Sequence, residues 1–288
     1  MKELSPTNAR EFERRRKPRS QRRFKIRRVE MPRVSRSAVP STFTVMNMVC
    51  GYASIVTASD GDIVAAGWFI IFAALFDTID GFIARLTNSA SDFGVELDSL
   101  SDLVSFGAAP AFLAYKSGLD TLGIVGLLIS AMLMVGSGLR LARFNVQLTG
   151  YKDYFSGLPT PSQAMTIAAF AVWLVSENVL TSEQKLGALI ALTLTLSLLM
   201  ISKVRYEKLP KPTQEEFRAR PIKFSLVSLA SVMILIFQAK GLFIVMLCYI
   251  VIGIVRSLYD FFFEEMPNEK LSASNTLANT ELSKKQPS

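Results

Sequence analysis

Asp77-Thr78-Ile79-Asp80-Gly81-Phe82-Ile83-Ala84-Arg85, then eight residues, then Gly94-Val95-Glu96-Leu97-Asp98-Ser99-Leu100-Ser101-Asp102, is the stretch that decides how this chain folds. Four aspartates stand at the facing ends of two strongly apolar segments. A carboxylate in a membrane-deep segment costs about 2.5–3.5 kcal/mol on insertion scales, so such residues mark a functional site by default. On a helix each residue turns about 100°. Asp77, Gly81 and Ala84 then share one narrow stripe with Asp80 a step around it, and Gly94, Asp98 and Asp102 form a second stripe at i, i+4 and i+8. Two antiparallel helices joined by a short turn would bring four carboxylates together. They repel one another unless a divalent cation sits among them. An all-oxygen donor set suits Mg²⁺ or Mn²⁺ and suits Zn²⁺ poorly without His or Cys. The small residues leave room for a ligand against the backbone, and Arg85 offers a fixed cation for a phosphate. Acids paired with cations on an ion pathway of a transport protein are the competing possibility.

Half of the 288 residues are hydrophobic, and the mean hydropathy is +0.33. Several apolar runs approach the roughly 20 residues that cross a bilayer. The expected fold is therefore all-α, a polytopic membrane helix bundle with about eight transmembrane helices. The predicted spans are 40–58, 63–86, 97–115, 122–145, 162–179, 186–202, 224–238 and 242–263. The catalytic transmembrane domain is placed at 37–263, between a basic tail at 1–36 and a polar, disordered tail at 264–288. There is no histidine, which excludes histidine acid–base chemistry, Ser-His-Asp triads and histidine metal sites. Cys50 and Cys248 lie in apolar runs and suggest neither zinc nor a disulfide framework.

The net charge of +8 is unevenly placed, for residues 1–36 carry 14 Lys/Arg and 4 Asp/Glu. A basic tail before a membrane domain fits contact with anionic headgroups. No aromatic platform or helix-turn-helix accompanies it, so nucleic acid is not the expected partner. An even number of spans puts both termini on one side. The same side receives the loop holding Lys203, Arg205, Lys208, Lys211, Arg218, Arg220 and Lys223, so the positive-inside rule makes that side cytoplasmic. The aspartates then lie at the cytoplasmic ends of the second and third helices. The expected location is the cell (inner) membrane. No internal or inverted repeat is visible, which disfavours a transporter.

The pattern Asp-x2-Asp-Gly-x2-Ala-Arg-x8-Gly-x3-Asp-x3-Asp resembles the signature of the CDP-alcohol phosphotransferases, with all eight specified positions matched. The resemblance implies a CDP-activated lipid as donor, an alcohol as acceptor, CMP as leaving group and two divalent ions. It implies that Asp77 and Asp98 bridge the metals and that Asp80 binds one. Asp102 would be the general base and also touch metal. Gly81, Ala84 and Arg85 would contact the CDP group, Gly94 would allow close approach, and Ser91 is a further phosphate contact. The family also implies a homodimer.

The flanks narrow the resemblance to the serine-using, integral-membrane branch, the phosphatidylserine synthases. They are Pro40-Ser-Thr-Phe-Thr-Val-Met-Asn47-Met-Val-Cys-Gly51, Leu97 to Pro110, Arg140-Leu-Ala-Arg143-Phe-Asn145 and Gly157-Leu-Pro159-Thr-Pro161. This implies CDP-diacylglycerol and L-serine as substrates within a membrane of lipids. Arg140 and Arg143, level with the aspartates, could hold the acceptor's carboxylate, and Asn47 and Asn145 are polar candidates for the same pocket. Arginine alone does not separate serine from glycerol 3-phosphate or an inositol phosphate, which stay open as acceptors. A cation transporter and a scaffold anchored by its basic tail are the readings from other classes.

Overall fold

A computed structural model of the chain describes residues 38–87, 92–146, 154–177, 180–202, 204–207 and 221–263. The basic and polar tails, Ser91 and most of the basic loop after residue 202 lie outside the described residues.

The two helices that carry the aspartates are built differently. Helix α1 (Ala38–Ser59) leads through a tight turn into α2 (Ile63–Thr87), whose first turn is capped by Asp62 accepting from the Ala65 amide at 2.9 Å. Asp77 and Asp80 fall in the last turns of α2. Helix α3 (Asp92–Asp102) passes without a break into a π-helical segment, Leu103–Ala108, and then into α4 (Ala109–Lys116). The expected third span is therefore one rod that begins at Asp92, earlier than Leu97, and widens directly after Asp102. Pro110 is part of the reason. It has no N–H to give the Phe106 carbonyl four residues earlier. That carbonyl instead accepts from Gln163 Nε2 at 2.5 Å and from Ser137 Oγ at 3.3 Å. The widened turn is thus tied to two other helices, α5 (Ile124–Val146) and α6 (Thr160–Glu177). Single π turns of this kind recur at functional sites.

Helix α7 (Ser182–Ile201) starts at a capping box, with Thr181 and Gln184 each bonding the other's backbone amide. Strands β1 (Tyr154–Ser156) and β2 (Arg205–Glu207) pair antiparallel, with Phe155 opposite Tyr206. Among the described residues the fold is all-helical, as expected, apart from this short ladder. The segments before α6 and after α7 run side by side, and pairing satisfies backbone groups that neither helix can.

Helix α8 (Pro221–Phe263) is interrupted at Gln238, whose φ of 47° is left-handed. A Cβ on Gly241 would run into the Met233 carbonyl, so the chain bends sharply there and forms two rods. This matches the predicted break between 238 and 242.

Small residues set the closest helix contacts, as expected where lipid removes most of the hydrophobic drive between helices. Ala66, Ala73, Ala164 and Ala168 are fully buried between α2 and α6, and a side chain on Gly67 would collide with Val172. Helix α1 is pinned to the α3 rod by Ser101 Oγ donating to the Thr44 carbonyl (2.9 Å) and Ser105 Oγ donating to the Asn47 carbonyl (2.8 Å). Gly51 allows that approach, for a Cβ there would meet Ser105. Large apolar residues such as Val49, Tyr52, Leu128, Val135, Leu229 and Ile236 face outward. Four stretches, Ile63–Ala84, Ile124–Val146, Ser182–Ile201 and Phe224–Tyr259, are long and apolar enough to cross a membrane.

Candidate active site

The stripes inferred from the spacing do meet. Asp77 from α2 and Asp98 and Asp102 from α3 place carboxylate oxygens within 4.8 Å of one another, each side chain half-buried. Asp80 adds a fourth acid whose charge acts on Asp98 and Asp77. It is almost completely buried, at 7 % exposure. Its Oδ2 accepts a hydrogen bond from Thr44 Oγ1 on α1. Asp80 Oδ1 and Asp102 Oδ1 are buried with no hydrogen-bond partner among the described residues. Buried oxygens without a donor are expensive. Oxygen-only donors, close spacing and two buried oxygens left over all fit a hard divalent cation.

Helix α1 supplies more than packing. Thr44 and Asn47 lie three residues apart on its buried face, and Asn47, fully buried, stands beside Asp102. On the far side is Arg140 of α5. It is buried, it interacts electrostatically with Asp102 and with Tyr249 of α8, and its Nη1 donates to Thr160 Oγ1 at 3.3 Å. One guanidinium thus acts on the Asp102 end of the acid cluster, buried where charge interactions are strong.

The other predicted site residues divide. Gly81 is exposed, with open space where a side chain would be, and Ala84 and Gly94 are half-buried on the same two helices. Asn145 donates to Ser99 Oγ at 3.0 Å, which ties α5 to α3 one residue past Asp98. Arg143 turns away from the acids and donates to the Ile201 carbonyl at the end of α7, at 3.2 Å. Arg85 lies on α2, its side chain outside what is described, as is Ser91. Thr44, Thr160 and Tyr249 were not singled out in advance. For Thr44 a signal existed, since Thr44 and Asn47 are a polar i, i+3 pair in an apolar helix. Thr160 and Tyr249 come from distant elements and carry no local signal.

The sequence profile of the CDP-alcohol phosphatidyltransferases matches residues 37–199, from the start of α1 to nearly the end of α7. The chain belongs to that family. It is 31% identical over 221 residues to the CDP-diacylglycerol–serine O-phosphatidyltransferase of Helicobacter pylori (strain ATCC 700392 / 26695), covering 76% of this chain and 91% of that one. It is 34% identical over 182 residues to the enzyme of the same name from Bacillus subtilis (strain 168), covering 63% and 96%. It is 37% identical over 173 residues to the archaetidylserine synthase of Methanothermobacter thermautotrophicus, covering 59% and 70%. The apolar helices together with the family make this CDP-alcohol phosphatidyltransferase an integral membrane protein.

Proposed function

We propose that the chain transfers a phosphatidyl group from CDP-diacylglycerol to the hydroxyl of L-serine, giving phosphatidylserine and CMP. The observation that carries this is the convergence of Asp77, Asp98 and Asp102, with Arg140 interacting electrostatically with Asp102. The named relatives supply serine as the acceptor.

The reaction forms a bond from the serine oxygen to the phosphorus next to the lipid, breaks the bond from that phosphorus to the CMP oxygen, and releases the hydroxyl proton. Asp102 takes that proton. Arg140 holds the serine carboxylate, so the hydroxyl end is turned toward Asp102. Asp77, Asp80 and Asp98, with Asp102 at the edge, would hold two Mg²⁺ or Mn²⁺ ions. Bound there, such ions would supply charge neutralisation for the diphosphate and for the CMP oxygen as it leaves. Gly81, Ala84 and Arg85 take the CDP group, Gly94 lets it approach α3, and Ser91 adds a phosphate contact. Asn47 and Asn145 shape the floor of the pocket.

The two rods of α8 and the composite α3–α4 rod, added to the other helices, support about eight crossings, a length-based count. Both termini and the aspartates are then cytoplasmic, at the inner membrane, where CMP leaves into the cytosol. The protein works as a homodimer.

CMP release from CDP-diacylglycerol by purified protein in detergent tests the proposal. Release should require both L-serine and Mg²⁺ or Mn²⁺, and EDTA should abolish it. Release driven by glycerol 3-phosphate or an inositol phosphate instead would keep the chemistry and discard serine. Metal-dependent cation flux without CMP would leave a transporter.

Thr44 gives a separate prediction. Its hydroxyl orients Asp80 and shares the charge on Oδ2. Thr44→Val should weaken Mn²⁺ binding roughly tenfold, as loss of an outer partner of a metal ligand commonly does. Thr44→Ser should restore it. The check is the Mn²⁺ concentration that half-saturates the rise in melting temperature, and equal values for all three proteins would refute the role.

A further inference from the structure

We infer that Tyr206, with Tyr249, completes the seat for the acceptor's carboxylate, and that the short β1–β2 strap exists to hold it there. The inference rests on the serine-transfer proposal above. Tyr206 lies on β2, outside every predicted helix, yet it is among the most buried large side chains of the protein, at 1 % exposure. Its hydroxyl is buried with no hydrogen-bond partner among the described residues. A buried phenol without a partner is less stable than phenylalanine in the same place, so a structural role alone does not call for the oxygen.

The ring contacts show which residues Tyr206 lies among. The Tyr206 ring packs against that of Tyr249, with centroids 5.4 Å apart. Tyr249 interacts electrostatically with Arg140, and Arg140 with Asp102. Asp102, Arg140, Tyr249 and Tyr206 are therefore linked pairwise in that order, with Thr160 bonded to the guanidinium. Gly253, one helical turn beyond Tyr249, makes the space, because a Cβ there would run into the Tyr206 ring.

The strap keeps the phenol in place. Phe155 pairs with Tyr206 across the ladder. The Gly157 amide donates to the Val204 carbonyl at 2.9 Å, and the Leu158 amide donates to the Leu199 carbonyl at 3.1 Å. Gly157 has a φ of +85°, and a side chain on it would strike the Met200 carbonyl, so the crossing point accepts glycine alone. A carboxylate has more acceptor sites than one guanidinium fills. The Tyr206 hydroxyl supplies a further donor at no cost in flexibility, because its ring is already fixed.

Tyr206→Phe keeps the ring and removes the oxygen, and Tyr249→Phe does the same one position inward. The test measures KM and kcat for L-serine, the KM for CDP-diacylglycerol, and turnover of serinol, which has the hydroxyl and amine but no carboxylate. In Tyr206→Phe the serine KM should rise roughly tenfold, the loss expected for one hydrogen bond to a charged group. The kcat and the CDP-diacylglycerol KM should stay within about twofold, serinol turnover should be unchanged, and the melting temperature should not fall. Tyr249→Phe should also lose serine against serinol. Serine turnover by the wild type with an unchanged serine KM in Tyr206→Phe overturns the inference alone, as does an equal loss for serine and serinol. A wild type that uses only glycerol 3-phosphate or an inositol phosphate overturns it together with the serine assignment.

Discussion

Asp102→Asn should lower kcat by about 10²–10⁴-fold, the usual contribution of a general base, and leave CDP-diacylglycerol binding within about twofold. Several features single out this residue among the four acids. It is the one beside both Arg140 and Asn47. One of its oxygens is buried without a partner among the described residues, a state it shares only with Asp80 among the four. It is also the last residue of α3, followed at once by the π-helical turn that Gln163 and Ser137 hold open through the Phe106 carbonyl. Its side chain therefore sits between α1 and α5, at the start of a turn held by α5 and α6. Asparagine keeps the volume but cannot take the hydroxyl proton. Single-turnover CMP release, with donor binding measured separately, gives the split between chemistry and binding. Near-normal turnover would assign the proton to another group, and a lost donor affinity would make Asp102 chiefly a metal ligand.

The aspartate cluster was legible in the sequence because its geometry is local. The spacing from Asp77 to Asp80, and from Gly94 through Asp98 to Asp102, is a helical period, and only the short link between α2 and α3 had to be assumed. Arg140 was legible for a related reason, as a cation at the end of an apolar run level with the acids. Arg143 follows the same pattern three residues later, yet it points to the Ile201 carbonyl. Helical phase separates the two, but which phase faces the acids depends on how α5 packs on α7, and that is not written in α5. The strand pair and Tyr206 are harder still. Three residues of strand carry no periodicity, and the burial of Tyr206 goes with Gly157 and Gly253, glycines distant from it in sequence that each make room for another segment. Thr44 lies between these cases, visible as polar in an apolar helix but without meaning until Asp80 is placed against it.

Asp98→Asn should separate the cost of the site from its use. Without metal, Asp77, Asp98 and Asp102 keep carboxylate oxygens within 4.8 Å of one another with Asp80 nearby, and the interior screens repulsion between their charged forms poorly. Neutralising Asp98 relieves it, so the metal-free variant should melt higher than the metal-free wild type. On the proposed reading, the same substitution also removes a ligand that the two metals would share. Mn²⁺ affinity should fall at least about a hundredfold, the upper end of what loss of a supporting partner alone costs. The stabilisation by Mn²⁺ should shrink with it, because a ligand stabilises only as far as it binds the folded state. The wild type and the variant should therefore cross in stability as Mn²⁺ is raised, with the variant ahead in EDTA and the wild type ahead at saturating metal. CMP release should be lost at every Mn²⁺ concentration below the variant's weakened affinity. A variant less stable than wild type in EDTA would mean that Asp98 is held by favourable contacts and not strained by its neighbours. Unchanged Mn²⁺ affinity would take Asp98 out of the metal site and leave the two stripes meeting for some other purpose.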